Sequence, residues 1–416
     1  MRQLVGQFRS FDQPSRLLMV NQFTINVGFY MLMPYLASYL AGPLGLAAWT
    51  VGLVLGIRNF SQQGMFLVGG TLADRFGFKP LIVAGCVLRT GGFALLAIVD
   101  SLPGLIVAVA ATGFAGALFN PAVRAYLAAD SRERRIEAFA VFNVFYQGGI
   151  LAGPVVGLAL TAVDFRLTCL VAAAVFAVLS VIQVRALPAQ TTMAEPSHGR
   201  NSMVTGLRTV AANRSFKLFA LVMIGSYVLS FQMYLALPME AHRIAGSGAA
   251  GTALITALFV VSGGVAIVGQ LKITSWLKAR WAPGSCLAAG MSLMALAFVA
   301  PGAAARTGPL VAAGALVLSA AVLALGTIAV FPFEMDTIVR FSDGKLVATH
   351  YGFYNTVVGV GILLGNLFTG TVFDLARSAG WPELPWAGLV MLGAACAVGL
   401  LSLDRDRRLQ TASALT

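Results

Sequence analysis

GGTLADRFGFKP, residues 69–80, is a short charged segment between two long apolar runs. Asp74, Arg75 and Lys79 supply its charge in a chain where charged residues are otherwise scarce. Because charged side chains avoid the hydrocarbon core of a bilayer, we expect the chain to turn here at a membrane surface. Gly77 lacks a side chain and suits a turn with unusual backbone dihedral angles. The segment therefore predicts a tight hinge between two membrane-spanning helices.

The composition indicates a membrane protein. The 416 residues are 58% hydrophobic and 11% charged, whereas soluble domains contain about 25% charged residues. A net charge of +12 is better explained by cytoplasmic loops that face anionic lipid than by a nucleic-acid partner. The four cysteines show neither paired nor metal-ligand spacing, so we expect no metal site and no bound cofactor.

Twelve apolar runs are long enough to cross a bilayer, since about 20 residues of α-helix span its hydrocarbon core. The runs lie at residues 17–40, 49–72, 81–99, 104–127, 138–162, 166–187, 216–239, 252–276, 285–303, 309–333, 350–372 and 386–403. The sequence therefore predicts an all-α integral membrane protein with twelve transmembrane helices.

A polar segment at residues 188–215, rich in helix-breaking and basic residues, divides the chain. We interpret it as a cytoplasmic linker between an N-terminal six-helix bundle at 1–187 and a C-terminal six-helix bundle at 216–416. Most of the 28 Lys and Arg residues lie on the side of the termini and of this linker. The opposite face carries only Arg166, Arg243, Arg306 and Arg377. This bias predicts that both termini of a cell-membrane protein are cytoplasmic.

A sequence repeat relates the two halves. The pattern NxxxxxGILAG at residues 143–153 recurs as NxxxxxGILLG at residues 355–365, an offset of 212 residues. The first and seventh runs also carry matching prolines, Pro34 and Pro238. Two parallel six-helix repeats are typical of transporters that work by alternating access, with the substrate site near the midplane between the halves.

The fifth run contains the pattern GxxxGPxxG, formed by Gly149, Gly153, Pro154 and Gly157. Small residues at this spacing allow two membrane helices to touch backbone to backbone. Pro154 removes one helical hydrogen bond and favours a bend. General tight packing is the alternative explanation of the pattern.

Charged residues inside a membrane are costly and usually functional. Four basic residues fall within the apolar runs: Arg58, Arg89, Arg124 and Lys272. Glu334 and Asp336 end the tenth run, and two residues apart on a helix they point about 200° from each other. One of them is a candidate proton carrier, because burial favours the protonated carboxyl. Alternatively, both are interfacial and pair with Arg340 or Lys345.

Polar and aromatic side chains on several runs predict a substrate cavity. The candidates are Gln22, Asn26, Tyr30, Arg58, Gln62, Arg124, Asn143, Tyr146, Gln147, Tyr227, Phe231, Tyr234, Tyr354 and Asn355. Taken singly, each is more often a packing residue than a ligand contact. Together they favour a cavity that is mainly apolar and aromatic, which suits amphiphilic substrates rather than sugars.

The whole chain resembles the twelve-helix drug:proton antiporters of the major facilitator superfamily, in particular the MdtH-type multidrug exporters. The residues that carry this resemblance are the hinge at 69–80, GIRNFxQQG at 56–64, the GxxxGPxxG motif, DFRL at 164–167 and PELPW at 382–386. The chain departs from many such exporters in its first run, where Asn21 and Asn26 stand in place of an acid. It also departs in the fourth run, which has no early arginine.

The resemblance implies roles for these motifs. GxxxGPxxG would be the antiporter motif, which indicates export. The hinge would be a conformational latch that holds the cytoplasmic side shut, with Asp74 docked against the start of the eleventh helix and Arg75 paired with Asp130. The latch residues are Gly70, Asp74, Arg75, Gly77, Lys79 and Asp130.

We therefore expect a monomeric secondary active exporter of amphiphilic small molecules, driven by the proton gradient, with a role in multidrug efflux and antibiotic resistance. Its partners would be a small-molecule substrate, protons and the lipid bilayer. Two alternatives stay open: export of one endogenous metabolite, such as a siderophore or lipid-like compound, and a non-transporting membrane sensor. The sequence shows no phosphate-binding loop of the GxxxxGK[ST] type and no nucleophile–base arrangement, so we expect neither an ATP-driven pump nor an enzyme.

Overall fold

The computed structural model describes residues 8–131, 135–187, 208, 210–246, 248–342 and 347–406, and their regular secondary structure is helical. In the first half the helices are α1 (Gln13–Tyr30), α2 (Met33–Ala41), α3 (Ala48–Gln63), α4 (Phe66–Phe76), α5 (Phe78–Ile98), α6 (Leu102–Ser131), α7 (Arg135–Thr161) and α8 (Phe165–Ala186). In the second half they are α9 (Arg214–Phe231), α10 (Ala236–Ala245), α11 (Ala249–Arg280), α12 (Pro283–Leu296), α13 (Val299–Ala304), α14 (Pro309–Ser342), α15 (Val347–Ala379) and α16 (Leu384–Arg405). The predicted linker 188–215 lies largely outside the described residues.

Ten stretches of the described helices are long and apolar enough to cross a membrane. The predicted runs 17–40 and 49–72 are not among them, and each is divided into two shorter helices. The first is interrupted between Tyr30 and Met33, and the second between Gln63 and Phe66. The runs 216–239 and 285–303 are interrupted in the same way, between Phe231 and Ala236 and between Leu296 and Val299, and both are among the ten stretches.

Large apolar side chains lie exposed along the helices, as expected where lipid replaces water as the solvent. Val107, Leu364, Phe368, Met391 and Val398 are all exposed. The described chain is thus an all-α multi-pass membrane protein.

Two compact units make up the chain. Unit 1 comprises Met1–Tyr39 and Ile57–Pro196, and unit 2 comprises Leu40–Gly56 and Ser197–Thr416. The first half of α3 therefore packs with unit 2, although it precedes most of unit 1 in sequence.

In unit 1, three glycines of α7 bring its backbone against the chain around the break between α1 and α2. A Cβ atom placed on Gly149 would lie 2.5 Å from the Phe23 carbonyl oxygen, and one on Gly157 would lie 2.1 Å from that of Met31. A Cβ on Gly153 would lie 2.6 Å from the Cβ of Tyr30. Only glycine fits at these three positions without displacing one of the two helices.

In unit 2, the repeated glycines pack in the equivalent way. A Cβ on Gly361 would lie 2.3 Å from the side chain of Ile224, and one on Gly365 would lie 2.5 Å from that of Val228. The partner helix α9 ends at Phe231, just as α1 ends at Tyr30. The sequence repeat thus corresponds to a structural repeat, with an interrupted helix packed on a glycine-bearing one.

The hinge of residues 69–80 forms a very short connection. Helix α4 ends at Phe76, and α5 begins at Phe78 after the single residue Gly77. Gly77 has a φ of +88°, a conformation that residues with a side chain rarely adopt. The predicted need for glycine in this turn is confirmed.

Candidate functional site

Unit 2 contains a buried carboxyl group, that of Glu334 on α14. Glu334 is fully buried, with an exposed fraction of 0%. The hydroxyl of Tyr354, from α15, donates a hydrogen bond of 2.5 Å to its Oε1. Its Oε2 makes no hydrogen bond to the described residues, although the hydroxyl of Tyr227, from α9, interacts electrostatically with the carboxyl. Two tyrosines from different helices therefore surround this acid.

Aromatic rings enclose the same group. The ring centroids of Tyr227 and Tyr354 lie 6.2 Å apart in a T-shaped arrangement, and Phe219 stacks on Tyr354 with centroids 6.1 Å apart. Phe331 lies 5.9 Å from Tyr227. Among the ion pairs of the described residues, none involves Glu334. The carboxyl thus lies in an apolar surrounding, where phenolic hydroxyls are its polar contacts.

Asp336, the second candidate acid, has a different environment. Its side chain is 50% exposed and forms an ion pair of 2.8 Å with Arg340, one turn further along α14. This is the interfacial arrangement that the sequence left open for both acids. The structure therefore separates the two: one is buried among tyrosines, and the other is exposed and paired with a base.

Unit 1 contains two buried arginines. Arg58 on α3 and Arg89 on α5 both lie against the ring of Phe29, with Cζ–centroid distances of 4.5 Å and 4.7 Å. Arg58 donates hydrogen bonds to the side-chain oxygens of Asn59, at 2.5 Å, and Gln62, at 2.7 Å. The sequence identified Arg89 as a charge within an apolar run but assigned it no role.

Polar residues of α1 hold that helix to α7. The amide of Gln22 donates to Asn26 Oδ1 at 3.0 Å, and the amide of Asn26 donates to the carbonyl of Tyr146 at 2.7 Å. Both side chains are buried. Asn26 therefore connects α1 to α7, and Gln22 donates to it from within α1, whereas Gln147 on α7 is exposed.

Comparison with known proteins places these features in a family. The Major Facilitator Superfamily profile matches residues 18–366. The chain belongs to the Major Facilitator Superfamily. An uncharacterized MFS-type transporter of Mycobacterium tuberculosis is 57% identical over 400 residues, which are 95% of this chain and 94% of the relative. The multidrug resistance protein MdtH of Yersinia enterocolitica is 30% identical over 410 residues, 98% of each chain.

Solved structures agree with this membership at the level of the fold. A mutant of the nucleoside transporter NupG is similar with a TM-score of 0.80, at 15% identity, covering 94% of this chain and 100% of the other. The peptide transporter POT in complex with sulfate is similar with a TM-score of 0.76, at 16% identity, covering 97% of this chain and 98% of the other. These structures thus show that the chain has the major facilitator fold.

The remaining candidate residues of this facilitator lie in three settings. Phe231 is the last residue of α9 and Tyr234 lies in the break before α10, with their ring centroids 5.7 Å apart. The amide of Asn355 donates to the carbonyl of Tyr351 within α15. Several predicted residues lie outside those whose side chains the structure describes: Gly70, Asp74, Arg75, Arg124, Asp130 and Asn143. The latch and the partner of Asp74 therefore stay predictions, although Gly77 and Lys79 are described.

Pro154 also takes part in a polar contact. It lies inside α7, and its carbonyl accepts a hydrogen bond of 2.6 Å from the hydroxyl of Tyr35 on α2. The GxxxGPxxG motif of this facilitator therefore contacts both segments of the interrupted first span. In the described part of the chain, no group of His, Cys, Asp and Glu could hold a metal ion.

Proposed function

We propose that this facilitator is a secondary active exporter of amphiphilic small molecules that exchanges its substrate for protons by alternating access. Both termini would face the cytoplasm, and the proton gradient across the cell membrane would supply the energy.

The observation that carries the proposal is the environment of Glu334. A carboxyl that is buried, forms no ion pair with a described residue and accepts a hydrogen bond from Tyr354 is suited to bind and release a proton. When protonated, the group is neutral and is tolerated in an apolar interior. When deprotonated, it needs hydrogen-bond donors, and tyrosine hydroxyls can provide them without fixing the charge as an arginine would.

The direction of transport rests on two further points. The GxxxGPxxG motif resembles the antiporter motif of exporting facilitators, and in this chain its glycines and Pro154 contact α1 and α2. The relative MdtH is named a multidrug resistance protein, which supports amphiphilic, drug-like substrates. These points favour export of such compounds over uptake of nutrients.

The test uses purified protein in proteoliposomes that contain a pH-sensitive dye. Addition of a panel of amphiphilic cations, anions and neutral compounds should move protons with the wild-type protein. Glu334→Gln should abolish this proton movement because the side chain can no longer ionise. Tyr354→Phe should slow it, because the carboxylate loses its donor to Oε1. Asp336→Asn is the matched control, since it removes an acid two residues away and should leave proton movement intact.

Two results would overturn the proposal. One is proton movement by Glu334→Gln at the wild-type rate. The other is equal accumulation of every labelled compound in cells with and without the protein, both before and after the proton gradient is collapsed.

A further inference from the structure

Helix α11 of unit 2 continues beyond its membrane-crossing part. The stretch of α11 that is apolar enough to cross a membrane ends at Gly269, whereas the helix itself ends at Arg280. The next stretch that can cross begins at Pro283, the first residue of α12. Residues 270–282 lie between these two stretches and are therefore placed at a membrane surface, among the lipid headgroups.

Cationic and aromatic side chains alternate along one face of this end of α11. Lys272, Trp276 and Arg280 follow each other at intervals of four residues, which places them on the same face of the helix. All three are exposed. The guanidinium of Arg280 lies over the ring of Trp276, with a Cζ–centroid distance of 4.8 Å. Lys278 is also exposed, but it lies about 200° around the helix from Trp276 and so belongs to the opposite face.

A second indole, that of Trp281, lies beside the first. The ring centroids of Trp276 and Trp281 are 5.7 Å apart in a T-shaped arrangement, and the two residues are 47% and 45% exposed. The amide of Trp281 donates to the carbonyl of Leu277 at 2.9 Å, and the buried thiol of Cys286 donates to the carbonyl of Trp281 at 3.7 Å. The backbone around the two exposed indoles is therefore held in place. Trp276, Arg280 and Trp281 form one group, which we name the tryptophan–arginine site.

The charge of this site is not neutralised by a nearby acid in the sequence. No Asp or Glu occurs between Glu240 and Glu334. The ion pairs that the described residues form do not include Arg280. Asp404 of α16 lies against Gly284, where a Cβ atom would come within 2.3 Å of its Oδ1, and it takes no part in those ion pairs either. A negatively charged group from outside the chain would therefore meet an uncompensated cation.

The combination of side chains selects a lipid as the source of that negative charge. A guanidinium that stacks on an aromatic ring keeps its in-plane N–H groups for the oxygens of a phosphate. Indoles favour the membrane interface, where the ring contacts the glycerol and acyl region and the N–H reaches the headgroup. A soluble phosphate would make no contact that uses the two rings. A zwitterionic headgroup would bring its own cation close to Arg280, whereas an anionic headgroup would not.

We propose that the tryptophan–arginine site binds the headgroup of an anionic phospholipid, with the phosphate on Arg280 and the glycerol region against the two indoles. Lys272, one turn earlier on the same face, adds to the attraction. The bound lipid would hold the turn between α11 and α12 at the membrane surface. With both termini in the cytoplasm, this lipid belongs to the cytoplasmic leaflet. The inference does not depend on Glu334 or on the direction of transport.

Quenching of tryptophan fluorescence by brominated lipids tests the inference. The chain contains five tryptophans, of which Trp386 is buried. Trp49→Phe together with Trp381→Phe leaves Trp276 and Trp281 as the exposed reporters. This two-reporter protein, at full length, is placed in phosphatidylcholine bilayers that contain a small fraction of acyl-brominated phosphatidylglycerol or acyl-brominated phosphatidylcholine. High ionic strength screens the diffuse attraction between the bilayer and exposed charges. We expect phosphatidylglycerol to be enriched about threefold at the reporters, within the range that a direct contact between exposed charges confers.

Three variants of the two-reporter protein make the outcome specific. Arg280→Gln should make the two brominated lipids quench equally. Arg280→Lys keeps the charge but lacks the planar fork, and it should retain part of the preference. Lys278→Gln removes a base from the same helical turn on the opposite face, and it should retain the preference. Size-exclusion profiles and thermal unfolding verify that each variant is folded.

The inference is overturned if the two brominated lipids quench the two-reporter protein equally, or if Arg280→Gln keeps the preference. Loss of the preference in Lys278→Gln would overturn it as well, since the whole charged surface would then attract the lipid. Soluble glycerol phosphate, added in excess, should leave the preference unchanged. If it abolishes the preference, the site binds free phosphate and not a lipid. None of these outcomes bears on the proton movement that tests the export proposal.

Discussion

The carboxylate of Asp374 on α15 binds the first turn of α3 through the backbone amide of Trp49. Asp374 Oδ2 lies 2.7 Å from the nitrogen of Trp49, and Oδ1 lies 2.9 Å from that of Ala48. The first amides of a helix have no partner within the helix, and its dipole favours a negative charge at that end. A side chain 326 residues away in sequence therefore caps α3 within unit 2.

Close backbone packing continues from this cap along the two helices. A Cβ atom on Gly370 would lie 2.2 Å from the carbonyl oxygen of Ala48, and one on Gly52 would lie 2.2 Å from that of Asn366. The side-chain amide of buried Asn366 hydrogen-bonds to no described residue. The cap by Asp374 thus stabilises the contact between α3 and α15, whereas the unsatisfied amide of Asn366 destabilises it.

Asp374→Ala should lower the free energy of unfolding by about 1 kcal/mol, because two amides at the start of α3 lose their acceptor. Asp374→Asn keeps one acceptor oxygen and should have a smaller effect. The measurement is chemical or thermal unfolding of purified protein in detergent. Asp336→Ala serves as the control, since an exposed i,i+4 ion pair contributes under about 0.5 kcal/mol. Equal effects of the two alanine variants would contradict the assignment of a cap.

Gly157→Ala should destabilise unit 1 by about 1 to 3 kcal/mol, because the added methyl group would overlap the carbonyl of Met31 and push α7 outward. Gly148→Ala is the matched control on the same helix, as its nearest contact would be an ordinary 3.5 Å to Phe23. Because alanine favours a helix over glycine, the control should be neutral or slightly stabilising. Comparable melting temperatures for the two variants would contradict the prediction, because α7 would then accommodate the methyl group of the Gly157→Ala variant without a loss of stability.

Local patterns predicted the parts of the fold that depend on neighbouring residues. The turn at Gly77 needs glycine because the chain must change direction within one residue, and that requirement is visible in the sequence. The repeat 143–153 and 355–365 likewise predicted glycines that pack closely against a neighbouring helix. The interruptions of four runs, 17–40, 49–72, 216–239 and 285–303, were not predicted, because apolar composition alone does not reveal where a helix stops.

Features that join distant segments could not be predicted in the same way. The rings of Phe29, Phe119 and Phe176 around Arg89 come from α1, α6 and α8, so no local pattern indicates that they meet. Glu334 and Asp336 are equivalent in sequence, and only the rotation of α14 within unit 2 buries one and exposes the other. The cap on α3 by Asp374 was also not foreseen, since the acid belongs to the far end of the chain.

Each unit has an ion pair between two of its own loops. The two pairs lie at corresponding positions, but the acid and the base are exchanged. In unit 1, Asp100 before α6 accepts from Arg166 at the start of α8, with an N–O distance of 2.6 Å. In unit 2, Arg306 before α14 donates through both Nε and Nη2 to the carboxylate of Glu383, just before α16. Each pair thus joins the loops at corresponding positions of its own unit. The loop that carries the acid in unit 1 carries the base in unit 2.

The pair in unit 2 should make stability depend on pH. The hydrogen bond from Arg306 lowers the pKa of Glu383 below its ordinary value of 4.5. An acid whose pKa is lowered by folding stabilises the fold above its unfolded pKa, and the contribution is lost as the pH falls through the folded value. Glu383→Gln should therefore lower the melting temperature at pH 7, and the difference from the wild type should shrink as the pH falls below about 4.5.

Thermal unfolding between pH 7 and pH 3 measures this dependence. Arg306→Gln should reproduce the pH profile of Glu383→Gln, because either change removes the same interaction, and the double variant should add nothing further. Arg377→Gln, an exposed base at the end of α15, is the control and should leave the profile unchanged. A constant difference between Glu383→Gln and the wild type at every pH would mean that the charge of Glu383 does not contribute, and that its side chain acts by packing alone.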